Sequence, residues 1–168
     1  DAFAAGHFPG SLNIPMSDQF GTWFGWLVPI DEPAVLVVSD GDHAREALLQ
    51  LARIGIDEVS GVVVGRAGPV ASRTSRVWQI PDGAQILDVR SPGERAAFAP
   101  AGTFHAYVPD LLDGPPEEID QAEPVWVVCA SGYRSAIAAS ILRRHGVDAI
   151  PVVDAGVTDL NRRRFSSV

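Results

Sequence analysis

Short continuous apolar runs alternate along this chain with longer stretches in which apolar residues recur at helical spacing. In the C-terminal half, Val125-Trp126-Val127-Val128 is unbroken and β-prone. After a small-residue stretch, Ile137, Ala138, Ile141 and Leu142 recur at i, i+1, i+4 and i+5. A β-rich run, a loop and a helical period together define one βα unit. The pattern predicts a strand at 125–128, a loop at 129–134, a helix at 135–145 and a closing strand at 149–153. The N-terminal half carries the same order: a strand at 35–38, a loop at 39–43, a helix at 44–54 and a closing strand at 59–64. Gly55 and Gly146 stand where helices end in a left-handed residue. Arg143, Arg144 and His145 suit the negative end of the second helix dipole. Strand–helix–strand units of this length require parallel strands joined by right-handed crossovers, so the fold class is α/β.

The two halves also match residue by residue. Shifted by 91 positions without a gap, eleven of the 34 residues from 32 to 65 are identical, among them Glu32-Pro33 with Glu123-Pro124, Gly41 with Gly132, Leu51 with Leu142, Gly55 with Gly146 and Gly65 with Gly156. Two copies of one fold follow, rather than a many-repeat solenoid. The stretch 66–84 between them is rich in Gly, Pro and Ser and is predicted to be a linker.

Composition narrows the function. With 20% charged residues, net charge −8 and pI near 4.8, the chain has no basic stripe to hold nucleic acid. The cluster Arg162-Arg163-Arg164 is expected on a solvated helix face or end. The longest uncharged stretch, 19–30, is too short to span a bilayer, and its Trp23 and Trp26 lack flanking Lys or Arg, so it is expected to pack as a long loop on a domain. His7, His43, His105 and His145 are scattered without metal-ligand spacing, so neither a metal nor another cofactor is expected. The single cysteine excludes an internal disulfide framework and points to a reducing, cytoplasmic compartment.

That cysteine, Cys129, opens Cys129-Ala130-Ser131-Gly132-Tyr133-Arg134-Ser135 at the predicted strand-to-helix junction. Backbone N–H groups at a helix start favour negative charge, which lowers a thiol pKa and favours the nucleophilic thiolate. Gly132 permits a tight wrap, and Arg134 adds a fixed cation. A cysteine at the end of a buried strand is often a small packing residue; the loop that follows makes this one a candidate nucleophile. In the first copy Val38 stands opposite Cys129, or Ser39 after a one-residue slip, and His43 stands opposite Arg134. Asp40 and Asp42 make that loop unwelcoming to an anion.

The spacing of Cys129, Gly132 and Arg134 resembles the active-site loop of the rhodanese (sulfurtransferase) family. Ile86-Leu87-Asp88-Val89-Arg90-Ser91-Pro92-Gly93-Glu94 is similar to the strand and turn that open such a domain. Gly6-His7-Phe8-Pro9-Gly10 is similar to the family's Gly-His-x-Pro-Gly segment. The resemblance implies two rhodanese-like domains, each a mostly parallel sheet flanked by helices: residues 1–75, without a thiol and lacking the opening strand, and residues 76–168, with Cys129. It implies a sulfur carried as a persulfide on Cys129, taken from thiosulfate or a low-molecular-weight persulfide and passed to a thiol or cyanide. Residues 130–135 would bind the sulfur-containing anion. Asp88 and Arg90 would support the site, with a buried salt bridge at the sheet end as the competing role. His7 is expected to be a structural hydrogen-bonder. The order of an inactive and then an active copy, with Trp23-Phe24-Gly25-Trp26, resembles the C-terminal part of fusions to a metallo-β-lactamase-fold persulfide dioxygenase, and implies such a domain upstream.

In the second copy the Gly-His-x-Pro-Gly segment is replaced by Ala99-Pro100-Ala101-Gly102-Thr103, which leaves the geometry of that turn open. Two other readings compete. Related phosphatases and arsenate reductases place five residues between Cys and Arg, whereas four stand here, a smaller pocket suited to one sulfur atom. A non-catalytic binding or scaffold module fits the first copy, but the intact second loop speaks against it for the whole chain.

Overall fold

The computed structural model describes residues 2–160, and the Arg162-Arg163-Arg164 cluster lies outside them. The chain divides into two compact units, Asp1–Pro9 with Ile14–Ala71, and Gly10–Asn13 with Ser72–Val168. Among the described residues no helix is long and apolar enough to cross a membrane.

The first unit contains α1 (Ala2–Ala5), α2 (Phe20–Leu27), β1 (Val35–Val38), α3 (Gly41–Arg53) and β2 (Gly61–Val64). β1 and β2 pair in parallel, with Val35 opposite Gly61 and Val38 opposite Val64. Phe20, Phe24, Leu36, Ala47 and Leu51 form the core. The stretch 19–30, expected as a loop, is largely helix. Phe20, Trp23, Phe24 and Leu27 recur at i, i+3, i+4 and i+7 and are all buried, so packing of this face overrides the poor helix propensity of Gly21 and Gly25. Gly21 is needed for the approach to α3, because a Cβ there would lie 3.0 Å from Gln50 O. Gln50, itself buried, accepts from Gly21 N–H at 2.9 Å and donates to Ser17 O at 2.7 Å, which ties α2 to α3. Trp23 is buried while Trp26 is 53% exposed. The imidazole of His7 lies 3.0 Å from Phe3 O and stacks on the Phe3 ring, the structural hydrogen bond expected of it.

The second unit contains β3 (Gln85–Asp88), α4 (Pro92–Ala97), β4 (Phe104–His105), β5 (Val125–Val128), α5 (Tyr133–Arg144) and β6 (Ala149–Pro151). All its strands are parallel, in the order β4-β3-β5-β6, with Asp88 opposite Val128 and Trp126 opposite Ile150. β5 is a β-rich run buried along most of its length, and β3 ends in the buried pair Leu87 and Asp88, as central parallel strands do. Residues 135–142 of α5 are buried without a break, and their Ala and Ser content permits close packing. Asn13 N–H donates to the buried Ser140 Oγ at 2.9 Å.

Several expectations need correction. The stretch 66–84 is not a free linker. Ser75 is buried and bridges Val152 in parallel, and Ile80 packs against Val128, Val152 and Val157. Apolar and ladder contacts outweigh its Gly/Pro/Ser composition. Both long helices begin earlier than predicted, at Gly41 and Tyr133, because polar and small residues occupy their first turns. The two halves do not follow one constant offset. The strands β1 and β5 start 90 residues apart (35, 125), the helices 92 apart (41, 133), and the left-handed glycines after them 91 apart (55, 146). Only Ser39 and Asp40 separate β1 from α3, whereas residues 129–132 separate β5 from α5. Gly65 N–H bonds to Val38 O as Val152 N–H bonds to Val127 O, so Gly65 is not the counterpart of Gly156.

Candidate active site

In the second unit β3 connects outward to β4 through α4, and β5 outward the other way to β6 through α5, in the order β4-β3-β5-β6. Right-handed crossovers in opposite directions put the two helices on opposite faces of the sheet. The connections diverge at the carboxyl ends of β3 and β5, the place where open parallel sheets form a crevice. Cys129 directly follows β5 there, and Arg90 and Glu94 follow β3.

The Cys129 side chain is buried at 1% exposure, while Ala130 and Ser131 above it are exposed. Its Sγ accepts the Gly132 N–H at 3.1 Å. Gly132 caps α5 with φ +94°, a left-handed conformation that suits glycine, and a Cβ on it would lie 2.7 Å from Val153 O. A Cβ on Gly156 would overlap Ala130 O. Two glycines thus let the segment after β6 clamp the loop from behind. Val157 N–H closes the clamp on Cys129 O at 2.8 Å. Ser135 is fully buried, its Oγ 2.8 Å from both Gly132 O and Val152 O, and it fixes the loop exit. No side chain caps α5. A helix start whose cap residue offers no side-chain acceptor favours negative charge at the loop.

Arg134 does not stand free as an anion ligand. Its guanidinium forms a two-point ion pair with Glu94, Nη1 to Oε2 at 2.5 Å and Nη2 to Oε1 at 2.8 Å. Glu94 is held from its other side by Ser91, whose N–H and Oγ–H reach Oε2 at 3.1 and 2.9 Å in a capping box at the start of α4. The Arg134 hydrogen bonds, then those of Ser91, lower the Glu94 carboxyl to about 2 against the opposition of burial. Glu94 in turn raises the Arg134 pKa. Tyr107 stands near the pair, its phenol pushed up mainly by burial and further by Glu94 and Asp110. In the sequence, Glu94 stands out only as the end of the motif that opens at Ile86. Ser91-x-x-Glu94 is a capping-box pattern, but nothing local links it to Arg134, 40 residues away.

Asp88 and Arg90 form the buried salt bridge given above as their competing role. Arg90 Nη2 donates to Asp88 Oδ2 at 2.7 Å and to Phe98 O at 2.6 Å, and Arg95 reaches the same carboxylate at 3.4 Å. His105 Nε2 donates to Arg90 O at 2.9 Å. The turn whose geometry the sequence left open is closed by Thr103 Oγ1 donating to Pro100 O at 2.8 Å and by Arg95 on Thr103. Neither Asp88 nor Arg90 bonds to the Cys129 loop; they fix α4, and with it Glu94.

The corresponding junction of the first unit is built differently. Asp40 caps α3, accepting from His43 N–H at 2.8 Å and meeting His43 Nδ1 at 2.7 Å. These His43 bonds, with that from Ser39, hold Asp40 at about 2. A carboxylate of the chain itself occupies the helix start that α5 leaves uncapped.

A family model described as rhodanese-like domain matches residues 74–162. Among solved structures, a rhodanese-related protein from Thermoplasma volcanium is similar at 22% identity over 54% of this chain and 91% of its own, with a TM-score of 0.44. A rhodanese-like domain protein from Staphylococcus aureus is similar at 27% identity over 46% and 74%, TM-score 0.40. A single-domain sulfurtransferase from Saccharomyces cerevisiae is similar at 18% identity over 60% and 97%, TM-score 0.44. Curated proteins give no match.

Proposed function

The chain belongs to the rhodanese-like domain family, and on that premise we propose that it is a sulfurtransferase carrying sulfane sulfur on Cys129. The observation that carries this reading is the Cys129 Sγ beneath an uncapped helix start, already accepting one backbone N–H. The thiolate attacks the outer sulfur of the donor, a new S–S bond forms on Cys129, and the donor's S–S pair leaves on its remaining fragment. An acceptor thiol or cyanide then removes the outer sulfur and restores the thiolate. N–H groups of residues 130–135 stabilise the anionic sulfur in both half-reactions. Burial of Cys129 supports a single incoming sulfur atom over a tetrahedral phosphoryl or arsenate group, and so does the four-residue spacing to Arg134.

In the same reading, residues 76–168 form the active domain and residues 1–75 a copy that has lost the chemistry. The small anion and the thiol acceptor are met in a reducing, cytoplasmic compartment. A metallo-β-lactamase-fold domain upstream would supply or use the persulfide. The non-catalytic alternative is favoured only by the first unit, where Asp40 fills the helix start.

Intact-mass measurement after exposure to glutathione persulfide should show one added sulfur on the Cys129 peptide. Cys129→Ser should abolish both the adduct and turnover with cyanide. Turnover retained in that variant would exclude the mechanism.

A further inference from the structure

We propose that Glu94 sets the donor class of the Cys129 site: by pairing with Arg134 it leaves the loop mouth without free positive charge, so the donor is an organic persulfide rather than a sulfur oxyanion. The proposal rests on the sulfurtransferase reading above.

The described cations around the crevice are already partnered. Arg134 is bound at two points by Glu94, Arg90 by Asp88, and Arg95 by Asp88 and Thr103. The loop residues Ala130, Ser131, Gly132 and Tyr133 carry no charge. Ser91 grips Glu94 independently of Arg134, so the carboxylate is a fixed feature of the mouth. Cys129 is 1% exposed, so a donor meets Sγ through its terminal sulfur and the rest of it stays at the loop, where Glu94 is held on Arg134.

The two donor classes differ in what they leave there. With an organic persulfide, Cys129-S⁻ attacks the outer sulfur of RS–SH. The bond between the donor sulfurs breaks, Cys129-S-SH forms, and RS⁻ departs with the electron pair and takes a proton. Only one charge moves, and the loop N–H groups suffice to hold it. With thiosulfate the same attack expels sulfite. A dianion must then approach a thiolate and a carboxylate, on a chain of net charge −8, without an unpaired cation.

The test compares kcat/KM for glutathione persulfide and thiosulfate. Wild type should strongly prefer the persulfide, and its thiosulfate kcat/KM should rise with added salt, because salt screens repulsion. Glu94→Gln keeps the capping box, since glutamine serves at that position, and removes the charge. It should raise thiosulfate kcat/KM about tenfold, the order of one nearby charge, with persulfide kcat/KM changing much less. The double variant Glu94→Gln with Arg134→Gln, again neutral, should lose that gain. Equal use of the two donors by wild type, a fall in thiosulfate use with salt, or an equal gain for both donors would overturn the proposal while leaving sulfur loading of Cys129 intact. Failure of both donors to load Cys129 would overturn the sulfurtransferase reading itself.

Discussion

Arg134 shows how one residue can change its role when its surroundings are known. Its place in the loop marks it as an anion ligand. The structure gives it Glu94, and Arg134→Ala should therefore cost about 1 kcal/mol, the upper range for a well-formed but partly solvated ion pair. For a chain of this size that is a fall in Tm of about 2–4 °C. The effect has a defined pH window. Glu94 is held at about 2 against an ordinary 4.5, so the pair's contribution is complete above about pH 4.5 and is lost as pH falls towards 2. Urea titrations across that window should show the gap between wild type and Arg134→Ala closing as Glu94 protonates. A gap independent of pH would assign the loss to packing of the Arg134 stem. Cys129 and Gly132 were legible without the structure, because a thiol at a strand end and a glycine at a forced turn announce themselves locally. Glu94 was not, because its meaning lies in a partner 40 residues on.

At the level of elements, the two strand-to-helix junctions differ in length and in what caps the helix that follows. β5 and α5 are joined by four residues that wrap around Sγ, and α5 is left uncapped. β1 and α3 are joined by two residues, one of which is the Asp40 cap. Ser39 follows β1 as Cys129 follows β5, which makes Ser39→Cys the fair test of the first junction. In a Cys129→Ser background it should produce neither a persulfide adduct nor cyanide-dependent turnover, because there is no room for the wrap and a carboxylate holds the helix start. Appearance of the adduct would mean that the thiol alone is sufficient. The constant offset concealed this difference. Strand hydrophobicity and the glycines after the helices tolerate small shifts, so identities survive where the loop between them has a different length.

Across the molecule, the second unit owes part of its packing to residues distant in sequence, Gly10–Asn13, with Asn13 N–H on Ser140 Oγ. A fragment of residues 72–168 should still load sulfur on Cys129, since the loop and its clamp are complete within it. Its urea midpoint should lie below that of the full chain, because the Asn13 contact is lost. A fragment as stable as the full chain would show that the contact contributes nothing. The α/β class, the parallel pairing, the βα unit around Cys129 and the glycines ending both long helices were determined by the sequence alone, because each follows from local periodicity and backbone sterics. Residues 19–30 and 66–84 were misread because burial decided their state: four apolar side chains at helical spacing outweighed two glycines, and Ile80 with Ser75 joined a core and a sheet edge despite a linker-like composition. The buried Asp88–Arg90 salt bridge was among the readings of the sequence; only the tertiary structure decided that Arg134 faces a carboxylate. Pairing of charges depends on which strand ends are adjacent in the sheet, and adjacency is a property of the whole fold.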